Sequence, residues 1–282
     1  MKKLLLVAFL AGSLMSLQSC GGDDNVAPSG GSNNGGGNNG GGNNGGGGNN
    51  GGGNNGGGNT TTANLPIFID IGDEIDINIE YDSKDRFSKI TVEGYKSYAA
   101  NVVSEFTYTN DVLTEIKQTF GSLANPSSID INRFTYTNNT VKITYDDPLQ
   151  YEKTMSLDNQ GLLLSTYNYR SLANEKHTEY YTYDNNKNMM TFSIDNFYKV
   201  DYTYDNSNGI FKNVNMPQWA IYYSVGRSIH LGFCLSVYNN IVDISGGGNN
   251  INSFQYKYNS DNYPISVDSD FIGLRGNITY SK

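Results

Sequence analysis

The feature that most constrains this chain is a short phrase that recurs along it. An aromatic or aliphatic residue, one polar residue and a tyrosine are followed by Asp, Asn or Thr-Asn. It occurs as Ile79-Glu80-Tyr81-Asp82, Phe106-Thr107-Tyr108-Thr109-Asn110, Phe134-Thr135-Tyr136-Thr137-Asn138, Tyr181-Thr182-Tyr183-Asp184-Asn185, Tyr202-Thr203-Tyr204-Asp205-Asn206 and Tyr256-Lys257-Tyr258-Asn259. A second alternating run follows each within a few residues, as in Phe87-Ser88-Lys89-Ile90, Val112 to Ile116, Val141-Lys142-Ile143, Ile210-Phe211 and Ile265-Ser266-Val267. Leu157-Asp158-Asn159-Gln160-Gly161-Leu162 keeps the pattern with Leu in the tyrosine place, and Val237-Tyr238-Asn239-Asn240-Ile241 is a looser copy. Ile278-Thr279-Tyr280 reads as a final half-unit.

Period-two alternation rich in Tyr, Phe and Thr suits a pleated, half-buried surface. Asp, Asn and Gly at the junctions favour tight turns, through side-chain-to-backbone bonds and positive φ. Each unit therefore reads as strand, turn, strand. Chaining the units predicts an all-β, antiparallel up-and-down meander of about 14 to 18 strands. A sheet that long must hide its edges by curling or closing into a barrel. A barrel of this size is too wide for wall side chains to fill. The break in the repeat at 213–231 offers a filler, with Met216, Pro217, the single tryptophan Trp219, Ile221, Tyr222 and Tyr223. No segment carries a long helical stripe; Trp219 to Val225 comes nearest, and it is not read as a helix. The expectation is that the insertion packs over or into the apolar side of the curled sheet.

Outside the repeat the chain is different material. Of 33 glycines, 20 fall between Gly21 and Gly58, and Asn33 to Gly58 is Asn-Asn-Gly-Gly-Gly repeated five times with Gly48 added. Such a stretch has no side chains to bury, so it cannot offset the entropy of ordering its backbone. As a flexible coil, the segment from Gly21 to Asn59 has a root-mean-square span of roughly 35 Å. Before it, Lys2 and Lys3 precede an apolar run, Leu4 to Leu17, that is too short to span a bilayer and reads as an export signal. The expected organisation is a signal peptide over 1–19, a tether over 20–64 and one β-meander domain over 65–282.

Leu17-Gln18-Ser19-Cys20 resembles a bacterial lipobox, and the resemblance implies an acylated Cys20, with palmitate among the chains. Gly21-Gly22-Asp23-Asp24 resembles the start of surface lipoproteins of the Bacteroidota type, in which early acidic residues favour export to the outer face. The hairpin units resemble degenerate YD repeats, of the Tyr-Asp-x-x-Gly-Arg type, with Tyr81-Asp82-Ser83-Lys84-Asp85-Arg86 as a near copy that lacks the glycine. Taken together, the chain is similar to a Bacteroidota-type outer-membrane surface lipoprotein family of unknown function with a porin-like fold. The resemblance implies lipid anchoring at the outer membrane, facing the cell exterior, with outer-membrane lipid as one partner. True YD-repeat shells enclose toxins and are far longer, so that activity is not carried over.

Charge and chemistry narrow the function. Nineteen basic against 28 acidic side chains give a net charge of −9. An acidic surface repels phosphate backbones, so nucleic acid is excluded as a partner. Two cysteines and two histidines leave no disulfide framework and no Cys/His zinc cluster. His177 and His230 fall in different units, and Cys234 reads as a small core residue. Asp146-Asp147 and Asp268-Ser269-Asp270 read as solvated turns, not calcium loops. Gly246-Gly247-Gly248 lacks the context of a phosphate cradle. The expectation is no catalytic residue, no metal and no cofactor. Membrane-embedded strands should show apolar bands of about nine to eleven residues. Here the runs are shorter and laced with Thr, Lys and Glu, and Tyr280-Ser281-Lys282 is not a terminal aromatic. The 22 tyrosines remain. Trp219, Tyr222 and Tyr223 are the candidate ligand-binding residues, as a stacking surface for a glycan or as a protein-binding face. The leading expectation is a non-enzymatic, lipid-anchored surface protein that presents a β-sheet for ligand binding. The alternative is a structural or adhesive element with no small-molecule site. A hydrolase with paired carboxylates and a membrane-embedded porin come after these.

Overall fold

The structure, a computed structural model, describes residues 64–72, 75–94, 101–122, 125–146, 151–170, 175–195, 198–228, 235–270 and 274–281. Cys20, the signal segment and the tether up to residue 63 lie outside the described residues, as do His230 and Cys234. The strands in chain order are β1 (Pro66–Ile71), β2 (Ile75–Tyr81), β3 (Phe87–Gly94), β4 (Val102–Thr109), β5 (Val112–Ser122), β6 (Asn125–Thr137), β7 (Thr140–Tyr145) and β8 (Tyr151–Leu157). They continue as β9 (Leu163–Arg170), β10 (Glu175–Tyr183), β11 (Met189–Ile194), β12 (Tyr198–Tyr204), β13 (Ile241–Gly246), β14 (Asn249–Tyr258), β15 (Pro264–Ser269) and β16 (Leu274–Tyr280). One helix, α1 (Gln218–Ser228), interrupts them between β12 and β13.

Each strand pairs antiparallel with its sequence neighbours, and β16 pairs with β1, so the meander closes into a barrel of 16 strands. The half-unit Ile278-Thr279-Tyr280 is completed by β1, with Ile69 opposite Ile278. Closure is sealed by two hydrogen bonds: Leu65 N–H donates to the Ser281 side-chain Oγ at 3.2 Å and Ser281 N–H to the Leu65 carbonyl at 2.8 Å. Alternation then sorts the side chains. Ile69, Ile71, Ile77, Ile79, Ile90, Ile116, Val141, Ile143, Val200 and Val267 point inward and are buried. Their strand neighbours carry the polar residues outward.

The turns explain the recurring phrase. In four hairpins the residue after the tyrosine or leucine, Asp82, Asp158, Asp184 or Asn259, accepts backbone N–H bonds two and four residues on. The fourth residue of each turn has positive φ: Asp85 at 60°, Gly161 at 80°, Lys187 at 68° and Asn262 at 64°. The two-residue loop Asn110-Asp111 also has positive φ at both positions, 51° and 67°, as tight hairpins require. Six returning strands carry a bulge near their start, at the second residue in Ser88, Leu164, Met190, Val242 and Ile265 and at the third in Thr114. A bulged residue leaves the alternation, which is why Leu164, Met190 and Ile265 are exposed although their strands are core strands.

In four hairpins the repeat tyrosine serves as a cross-strand latch, its hydroxyl donating to a carbonyl at or next to the start of the partner strand. On β14 Tyr256 takes this role, while the repeat tyrosine Tyr258 bonds Asp205. Tyr81 bonds Pro66 at 2.7 Å, Tyr108 bonds Phe87 at 2.9 Å, Tyr136 bonds Leu113 at 2.8 Å, Tyr204 bonds Met189 at 2.8 Å and Tyr256 bonds Ile241 at 2.7 Å. Each buried hydroxyl satisfies a carbonyl at the rim, where the sheet ladder ends.

The insertion is an enlarged turn of the same kind. Asp205 N–H donates to the Asn240 carbonyl at 3.0 Å, and Asn240 N–H donates to Asp205 Oδ1 at 3.1 Å, the frame that Asp82 and Arg86 make directly. The described residues between Asp205 and Asn240 thus lie within one hairpin turn, a longer span than the expected 213–231. Ile210 and Phe211, expected as a returning strand, belong to this segment and are fully buried. So does most of the loose copy Val237 to Ile241, of which only Ile241 enters a strand. The two arms of the insertion touch at Gly209, where a Cβ would lie 2.4 Å from the Val237 carbonyl oxygen. The segment then crosses the barrel mouth. Asn215 N–H donates to the Asp85 carbonyl at 2.9 Å, and Met216 Sδ accepts from Phe87 N–H at 3.3 Å. Gln218 Nε2 donates to the Lys187 carbonyl at 2.9 Å, and Asn208 N–H to the Asn262 carbonyl at 3.0 Å. Helix α1 begins after Pro217, whose carbonyl accepts from Ala220 and Ile221. Every residue from Gln218 to Val225 is buried, as expected of a helix enclosed on all sides. The insertion therefore both caps one mouth and fills the adjoining lumen.

Candidate functional site

The three aromatic candidates come together in the plug. Trp219 is 2% exposed, between Phe134 at 5.7 Å and Tyr136 at 6.2 Å between ring centroids. The Tyr222 hydroxyl accepts from Gln218 Nε2 at 2.5 Å. Tyr223 packs edge-on against Phe134 at 5.4 Å. All three rings are buried, so none presents a face to solvent. Only the Tyr223 hydroxyl is aimed deeper into the lumen, donating to Asn132 Oδ1 at 3.2 Å with the Tyr145 hydroxyl 3.4 Å away.

Beyond Tyr223 the wall changes character. Register places Lys153 opposite Ile143 on one side and Asn168 on the other, so its side chain shares the inward face with Met155. Asn168 lies opposite His177, and Thr166 opposite Glu179. These positions gather a charged cluster on β8, β9 and β10. Glu179 is 8% exposed. Its Oε2 accepts from the Tyr181 hydroxyl at 2.7 Å, and its Oε1 lies 3.6 Å from His177 Nε2. Burial pushes the carboxyl up, but the Lys153 charge and the bonds from His177 and Tyr181 outweigh it and hold it at about 2. Burial, then the Glu179 charge, drives the Tyr181 phenol well above its ordinary value. Lys153 has no carboxylate within salt-bridge distance among the described residues, and its ammonium lies 5.9 Å from the Tyr223 ring centre. His177 keeps a side chain 37% exposed.

The polar wall continues toward β4. Gln118 Nε2 donates to Ser104 Oγ at 3.2 Å, while Gln118 Oε1 is buried with no hydrogen-bond partner. The lumen is therefore two-sided. Strands β11 to β3 turn mainly Ile, Val, Phe and Tyr inward, whereas β4 to β10 add Gln118, Asn132, Lys153, Asn168, His177 and Glu179. This arrangement can orient a small oxygen-rich molecule and hold an anionic group near Lys153. In the sequence His177 stands in a different unit from His230, and no motif marks Lys153 or Glu179. The parity that puts Met155 and Tyr181 in the core was the signal that carried them inward.

The remaining sequence candidates are dispersed. Asp146 pairs with Arg133, and Asp147 lies outside the described residues. Asp268 faces out to Arg275 at 3.4 Å, while Ser269 faces in and donates to Asn252 at 2.8 Å. Gly247 and Gly248 form the β13–β14 turn, with φ of 59° and 80°. Among the described residues no three of His, Cys, Asp and Glu are grouped as a metal site.

The outer surface is charged. Cross-strand pairs join Lys89 to Glu80 at 3.2 Å, Lys117 to Glu105 at 3.1 Å and Arg133 to Glu115 at 3.2 Å. A lipid-facing barrel needs the opposite arrangement, and each Lys or Arg at a bilayer midplane costs about 2–4 kcal/mol. Water solvates such pairs without that cost.

No family model and no curated protein matches the chain. Among solved structures it is similar to a porin-like protein from Bacteroides uniformis, at 13% identity and a TM-score of 0.36, covering 77% of this chain and 96% of that one. It is also similar to a porin-like protein from Bacteroides vulgatus, at 15% identity and a TM-score of 0.37, covering 77% of this chain and 99% of that one.

Proposed function

We propose that the protein is a non-enzymatic, lipid-anchored surface protein whose barrel stands in water and binds a small polar ligand in its lumen. Cys20 carries the lipid at the outer membrane, the Gly/Asn tether gives reach toward the exterior, and the barrel presents the site. The observation that supports the ligand reading is the two-sided wall. The plug packs against the apolar side, and the other side turns Lys153, His177, Glu179 and the buried, unbonded Gln118 Oε1 inward. A buried acceptor without a partner is costly, and a ligand that donates to it offsets that cost.

Glu179 does not suit the acid half of a glycosidase pair, which needs a raised pKa, because its carboxyl is held at about 2. It orients neighbours and stays ionised.

The ligand reading is tested by thermal shift of the full chain against a panel of small sugar acids and neutral sugars. A ligand-dependent rise in Tm that disappears in Lys153→Met is expected. No shift with any of the panel favours the structural or adhesive alternative. The anchor is tested separately by metabolic labelling with radioactive palmitate, which Cys20→Ser should abolish.

A further inference from the structure

The outer wall of β8 to β11 differs from the rest of the charged surface. On its outward face Tyr167 sits between Thr154 and Thr178, and Tyr180 sits between Ser165 and Ser193. The two tyrosines are diagonal neighbours on adjacent strands, roughly 7 Å apart at Cβ. Tyr167 is 40% and Tyr180 47% exposed. Ion pairs border this neutral strip on both sides, Lys142–Glu152 at 3.7 Å and Lys199–Asp201 at 2.6 Å.

These two tyrosines lack the structural task of the latch tyrosines. Tyr81, Tyr108, Tyr136, Tyr204 and Tyr256 each bond a strand-end carbonyl, whereas neither the Tyr167 nor the Tyr180 hydroxyl bonds another described residue. Two open phenol faces flanked by Ser and Thr hydroxyls match a ligand that is itself part apolar face and part hydroxyl rim. A sugar ring has that chemistry: its C–H face packs on an aromatic ring while its hydroxyls exchange bonds at the edge. Charge selects among polymers. The chain carries −9, so an acidic polysaccharide or a second copy of the chain meets repulsion, and a neutral glycan does not.

We infer that the outward Tyr167–Tyr180 strip is a binding platform for a neutral glycan chain, separate from the lumen site. The test is affinity electrophoresis of the full chain in a sugar-free non-ionic detergent. The gels contain dextran, laminarin, galactomannan or, as the acidic control, polygalacturonate. Retardation by at least one neutral polymer is expected, with apparent affinity falling about tenfold for each ring removed. Tyr167→Thr and Tyr180→Thr keep strand propensity, so the double variant should fold as the parent does by circular dichroism. Lys153→Met, which disables the lumen site, should leave retardation unchanged. The inference is overturned if no neutral polymer retards the chain, if the double variant is retarded like the parent, or if polygalacturonate retards it equally. A dimer in light scattering that the double variant abolishes also overturns it, by assigning the strip to a second copy.

Discussion

Glu179 shows how one residue links folding to pH. Its carboxyl titrates at about 2 in the barrel, against an ordinary value of 4.5. A folded pKa below the unfolded one contributes stability that is fully present above the unfolded value and is lost as pH falls through the folded one. Acid titration should therefore cost on the order of 3 kcal/mol between about pH 4.5 and pH 2. Denaturant midpoints measured across that window should fall steeply in the parent and less in Glu179→Gln. Lys187 shows the reverse, a residue that opposes its own conformation. It holds φ at 68° in a turn where Gly161 serves the equivalent place. Left-handed backbone costs a non-glycine residue about 1 kcal/mol or more. Lys187→Gly should raise stability by about 1 kcal/mol, read as a higher urea midpoint with an unchanged slope.

At the scale of elements, the hairpin and the plug contribute differently. Each latch is local to its own hairpin, so Tyr204→Phe should cost only about 1 kcal/mol, the worth of one buried bond to the Met189 carbonyl. The plug is shared by many strands. Trp219→Ala opens a cavity between Phe134 and Tyr136 and should cost about 3–5 kcal/mol in chemical denaturation. The hairpins were legible in the sequence because Asp82, Asp158 and Asp184 announce both the turn and the strand ends. Ile210-Phe211 was misread because two apolar residues after Tyr204-Asp205 fit the local pattern of a returning strand. The bond from Asp205 to Asn240, across the whole insertion, has no local signature. Lys153 and Glu179 were missed for another reason. Charged residues are assigned to the wet face by habit, and only strict counting from Met155 and Tyr181 turns them inward.

For the whole molecule, alternation and closure act together. The meander could be read from local phrases, but the join between β1 and β16 could not, because it pairs segments at opposite ends of the domain. Closure removes the edges at which a long sheet would pair with other chains. It also creates a lumen that the wall cannot fill, and the enlarged turn supplies the filler. The result reverses the sidedness of a lipid-facing barrel: ion pairs outside, Ile, Val and Trp within. Trp219, the only tryptophan, reports on this directly. The decisive measurement is acrylamide quenching of its fluorescence in the Cys20→Ser full chain, in aqueous buffer without detergent. A short-wavelength emission with weak quenching, lost only on denaturation, is predicted. A quenching constant equal to that of a free indole in the folded protein, or a chain that folds only in detergent or lipid, would contradict the water-facing, plugged barrel.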